Sequence, residues 1–105
     1  MDETGGAQTV FVHVPLSDDL FGTAQELLAV QELEDSIHDA VAPLGGEAVG
    51  HDLGAGEAVI YIHGPHADAL TDAIRSVVTS PGAYAIKHYG PEDDTSARRE
   101  RAPLT

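Results

Sequence analysis

The chain contains no cysteine. That excludes a disulfide framework, a thiolate metal site and a cysteine nucleophile. Lysine is almost absent too, Lys87 being the only one. Five Lys and Arg residues stand against 18 Asp and Glu, giving a formal net charge of −13. Phosphate binding needs a basic footprint, so nucleic acid is not the expected partner. Docking on an anionic membrane surface is disfavoured for the same reason. No run approaches the roughly 18 apolar residues that would cross a bilayer. The acidic start Met1-Asp2-Glu3 lacks the basic and apolar regions of a signal peptide, and a soluble cytoplasmic protein is expected.

What is present suits one small domain. The chain has 105 residues, of which 42% are hydrophobic, enough for a single modest core. Residues 1–90 carry a net −12 and residues 91–105 a net −1, so the acidity belongs to the body of the chain. Such charge has three readings: salt adaptation, attraction of a basic protein partner, or solubility through self-repulsion.

Residues 1–8 read as a flexible lead. Thr9 to Val14 is β-branched and aromatic, a strand stopped by Pro15. A loop with Asp18 and Asp19 follows. Thr23 and Glu26 have capping-box spacing, and Leu27, Val30, Leu33, Ile37, Val41 and Leu44 recur as one helical stripe. Pro43 and Gly45-Gly46 end that helix. Glu47–Leu53 and Glu57–His63 flank Gly54-Ala55-Gly56 as a β-hairpin. His66–Thr79 repeats the helical spacing with Ala67, Leu70, Ile74 and Val77, and Ala83–Tyr89 is a fourth strand. Residues 92–105 are polar and read as a flexible tail or a late edge segment.

The order β-α-β-β-α-β predicts an α+β, ferredoxin-like fold over residues 9–91. Its four-stranded antiparallel sheet would run 4-1-3-2, with both helices on one face. Alternation places Val10, Val12, Val14, Ala58, Ile60, Ile62 and Ile86 under the helices. Phe11, His13, Val59, Tyr61, His63, Lys87 and Tyr89 are then expected on the uncovered face. An exposed, partly aromatic face is the expected ligand or partner surface, and a homodimer is the commonest way to cover it.

Strand direction brings His13, Asp52 and Glu57 to one end of that face. One imidazole and two carboxylates could hold a divalent metal or move a proton. The simpler expectation is a hydrated rim with His13 paired to Glu57. His63 lies about 20 Å from His13 along the strand and cannot share a metal with it. His66 is expected as an N-cap or first-turn residue, His88 on the core side, and His38 in solvent. Gly54-Ala55-Gly56 lacks phosphate-loop spacing, and no serine has a nucleophile-elbow context. No confident catalytic residue and no cofactor are expected.

Gly50-His51-Asp52-Leu53-Gly54, Gly56-Glu57-Ala58, Tyr61-Ile62-His63-Gly64-Pro65, Ala67-Asp68-Ala69-Leu70, Tyr84 to Gly90 and Phe21-Gly22-Thr23 resemble a family of small uncharacterised bacterial proteins. The resemblance covers roughly residues 9–91 and implies no activity. A non-enzymatic binding or regulatory module is therefore expected. An immunity-type neutraliser of a basic toxin is its specific variant. The alternative is a small metal-binding or ligand-pocket enzyme of the dimeric α+β barrel type.

Overall fold

The computed structural model describes residues 8–17, 22–91 and 93–105. Of the expected lead at 1–8, residues 1–7 lie outside the described residues, as do Asp18, Asp19 and Phe21, whereas Gln8 already belongs to the first strand. The elements follow in the order β1 (Gln8–Pro15), α1 (Ala24–Val41), a 3₁₀ turn (Ala42–Leu44), β2 (Glu47–Gly54), β3 (Glu57–Gly64), α2 (Ala67–Ile74), β4 (Tyr84–His88) and β5 (Arg99–Pro103). They form an α+β fold with one antiparallel sheet of order β2-β3-β1-β4-β5.

The first four strands stand in the expected order, but the sheet has five strands, not four. The segment read as a flexible tail or a late edge segment carries β5, an edge strand. Its inward side chains are Ala102 and Leu104, both buried, while Arg99, Arg101 and Pro103 alternate outward. The backbone pairing runs past β5 at both ends, through Tyr89 N–H to Arg98 O (2.9 Å) and Leu104 N–H to Ala83 O (3.0 Å). Arg75 also donates to the Pro103 carbonyl at 2.7 Å and ties the edge to α2.

Local chemistry explains each helix end. Thr23 accepts from the Glu26 N–H (3.1 Å) and the Glu26 carboxylate accepts from the Thr23 N–H (3.0 Å), closing the capping box. Glu26 also accepts from the Ser17 N–H and hydroxyl, at 2.9 and 2.7 Å. Donors from Thr23 and Ser17 together hold the Glu26 carboxyl below its usual range. α1 ends at Val41 and passes into the 3₁₀ turn that contains Pro43, and Gly45 takes the left-handed conformation that stops this turn (φ 78°). α2 is shorter than the sequence spacing suggests, ending at Ile74, and Val78 rather than Val77 is fully buried beyond it.

The core lies between the two helices and one sheet face. Val10, Val12, Ala58, Ile60 and Ile62 contribute from the sheet, Val30, Ile37 and Val41 from α1, and Leu70 and Ile74 from α2. Leu27 and Leu44, at the ends of the expected stripe, remain exposed. α2 reaches the β2 and β3 edge closely: a Cβ on Gly46 or Gly64 would lie 2.6 or 2.8 Å from Leu70. A side chain at either position would force Leu70 to shift.

His38 is not simply solvated, because its Nδ1 accepts from the Ala48 N–H (3.2 Å). Ala48 adjoins the β2 register shift, so the helix supplies an acceptor that the ladder cannot. Among the described residues, no helix is long and apolar enough to cross a membrane.

Candidate functional site

The sheet face opposite the helices is built from cross-strand rows. One row contains Asp52, Val59, His13, Tyr84 and Pro103; the next contains Gly50, Tyr61, Phe11, Ile86 and Arg101. A third contains Glu47, His63, Thr9, His88 and Arg99. Phe11, His13, Val59, Tyr61, Tyr84 and Ile86 are half-buried, so their outward edges form a continuous surface.

Aromatic contacts fix its centre. The Phe11 ring meets Tyr61 edge-on at 5.6 Å and His88 at 6.0 Å. His13 stacks on Tyr84 with centroids 4.6 Å apart and planes within 6°. The Arg101 guanidinium lies 3.8 Å from the Tyr84 ring centre, the geometry of a cation–π pair. Burial, and then the nearby Glu57 charge, push the Tyr84 hydroxyl above its ordinary value.

Phe11, His13, Tyr61 and His63 lie on this face. Lys87 and Tyr89 do not, which corrects the expectation for β4. Val12 pairs with Ala85, so small alanines fill the core and Ile86 pairs outward with Phe11. Lys87 then projects toward α2, where its ammonium meets Asp68 at 3.0 Å and Glu100 at 2.8 Å. Those carboxylates hold the Lys87 ammonium well above its ordinary value, with Glu100 the larger contributor. Tyr89 donates to Asp68 at 2.6 Å on the same side. The parity shift also moves His88. It faces the uncovered side, where it is fully buried with the Gly90 and Asp94 carbonyls against its ring nitrogens.

The structure brings together two of the three candidate metal ligands. His13 Nδ1 lies 2.9 Å from Glu57 Oε1, and Tyr84 also donates to Glu57 at 3.4 Å. Asp52 instead accepts from the Tyr61 hydroxyl at 2.5 Å. Among the described residues, no group of three His, Asp or Glu side chains could hold a metal ion. His51 points to the helix side, where it pairs with Glu34 of α1 at 2.7 Å.

A cavity of about 350 Å³ opens between α1, the end of β1 and the segment after α2. Val14, Leu16, Glu26, Leu33, Val77 and Ser80 are among its lining residues, and His13, Asp52 and Glu57 are not. It therefore lies on the helix side of the sheet, away from the aromatic face.

Sequence reasoning missed Tyr84, Ile86 and Arg101. The usable signal was the pair Ala83 and Ala85, whose small side chains fit beneath helices better than at a sheet surface. For Arg101 it was the two-residue spacing of Ala102 and Leu104. No family model, no curated protein and no solved structure matches this chain.

Proposed function

We propose that the protein is a non-enzymatic binding module that docks another protein chain on its uncovered sheet face. The observation that carries this reading is the contiguous patch of Phe11, Tyr61, Val59, Tyr84 and Ile86, lying opposite the helices. Aromatic residues with an adjacent arginine are the side chains that supply most binding energy at protein interfaces. The first four strands and two helices support a ferredoxin-like reading with β5 added at one edge. That fold licenses no activity by itself. The acidic surface fits a regulatory or neutralising role toward a basic protein in the cytoplasm, as in an immunity-type protein. It gives little support to a nucleic-acid role, since five cationic side chains serve the whole chain.

One geometric feature favours the ligand-pocket alternative: the His13–Glu57 pair beside Tyr84. An imidazole held by a carboxylate can accept a proton, and a chain docked on this face would enclose it. The aromatic patch is wider than this pair and carries the binding module as the better-supported reading.

The test is photo-crosslinking. Benzoylphenylalanine at position 59, on the face, should form adducts with protein chains. The same group at position 28, exposed on α1, should not. Equal or absent adducts at both positions would overturn the docking reading.

A further inference from the structure

The uncovered face carries opposite charges at its two edges. Glu47 and Asp52 of β2 and Glu57 of β3 stand on one side. Arg99 and Arg101 of β5 stand on the other, with the aromatic patch between. β1 is the middle strand of the five, so the charges lie at similar distances from the centre line through Phe11 and His13.

Resting on the docking reading above, we propose that the occupant of this face is a second copy of this chain. The two copies pack face to face about a two-fold axis that runs along β1. The charge polarity selects both the partner and the axis. Two sheets can meet about an in-plane axis along the strands or across them. An axis across the strands lays β5 on β5 and sets arginine against arginine. The axis along β1 lays β5 of each copy on β2 of the other, joining unlike charges twice.

The register makes the match specific. Arg101 shares a row with Gly50, and Asp52 is the next residue of β2 on this face. A Cβ at Gly50 would have nothing within 4 Å, so space exists where the second copy's Arg101 arrives. Arg99 shares a row with Glu47 in the same way. Gly90 and Asp94 meet the His88 ring in that row, so the contact centres on the rows of Phe11 and His13. Phe11 meets its own symmetry mate at the axis. Aligned sheets cross at roughly 30°, an offset that long arginine side chains can span.

Sedimentation equilibrium of the purified full chain should give twice the chain mass. R101E and D52R should each weaken association at least tenfold. The double variant D52R/R101E, which restores unlike charges across the axis, should recover most of it. Circular dichroism checks that each variant folds. Because the chain has no cysteine, R101C can also be treated with a short bismaleimide linker. The proposed axis keeps the two 101 positions on opposite edges, so D52C/R101C should cross-link efficiently and R101C alone should not. Efficient R101C cross-linking, or a double variant as weak as the single ones, would overturn the proposed axis. A chain that stays monomeric while position 59 still forms adducts with other proteins would overturn the second copy as occupant and leave the docking reading standing. Loss of those adducts as well would overturn both.

Discussion

At His88, β4 ends on a fully buried ring whose two nitrogens both face carbonyl oxygens. Nδ1 lies 3.0 Å from Gly90 O and Nε2 lies 2.9 Å from Asp94 O. A ring carrying both protons donates to each carbonyl, whereas a singly protonated ring satisfies one. The contacts tie Gly90 and Asp94, between β4 and β5, to the ring. Asp94 reinforces the turn. Its carboxylate accepts from the Ser96 hydroxyl (2.7 Å) and N–H (3.0 Å), which holds it below the usual carboxylate range. H88F keeps an aromatic ring against Phe11 but removes the ring N–H that these carbonyls accept from. It should cost about 2–3 kcal/mol in urea unfolding, because an orphaned buried acceptor forfeits its full desolvation penalty. Limited proteolysis should at the same time begin to cut within 90–97. An unchanged midpoint would show that these carbonyls find other donors.

Among the elements, the β2–β3 hairpin carries a visible local conflict. Gly54 pairs with Glu57, so Ala55 and Gly56 alone make the turn, with φ of 54° and 80°. Positive φ at both central residues marks a type I′ turn, which suits the twist of the strands but penalises an alanine. A55N places a residue that tolerates this region before Gly56. It should raise stability by about 0.5–1 kcal/mol, read as a higher urea midpoint at unchanged slope. Elements like this hairpin were legible because their signals are local: the Thr23 and Glu26 spacing, the Gly-Ala-Gly turn, the alternation of β1 and β3. β4 and β5 were not, for a physical reason. Side-chain direction in a strand has period two, so a one-residue error in parity exchanges the faces. In β4 the larger apolar residue, Ile86, faces outward and the alanines face the core, the reverse of the simple hydrophobic rule. β5 shows only Ala102 and Leu104 as apolar guides among charged neighbours, and its pairing to β4 is set by the loop fastened on His88. The candidate site inherited that error. The β1 and β3 contributions, Phe11, His13, Tyr61 and His63, could be placed from sequence. Those of β4 and β5 could not.

For the molecule as a whole, the net charge of −13 sits beside a small set of firmly held carboxylates. Glu26 is held low by Thr23 and Ser17, Asp68 by Tyr89 and Lys87, Asp94 by Ser96, and Glu100 by Lys87. A carboxyl whose folded value lies below its free value stabilises the fold above the free value, about 3.8 for Asp and 4.5 for Glu. That contribution is lost as pH falls through the folded value. The alkaline side has the opposite sign. The Lys87 ammonium is held up by Glu100 and Asp68, and the Tyr84 and Tyr89 hydroxyls are held up first by burial. Their contributions are complete below the free values near 10 and are lost as pH rises above them. The expected profile is a plateau between about pH 5 and pH 10 with a fall on each side, measured by thermal melts across pH. K87M should remove part of the alkaline fall and leave Asp68 and Glu100 facing each other with only the weaker influence of Arg98. Within the plateau, self-repulsion of the acidic surface acts against folding, and salt screens it. The Debye length shortens from about 10 Å at 0.1 M salt to about 3 Å at 1 M. With far more carboxylates than cations, screening should relieve more repulsion than it removes attraction at Lys87. The melting temperature at pH 7 should therefore rise from low to molar KCl. A flat or falling response would mean that local pairing, and not the net charge, governs how this surface bears on stability.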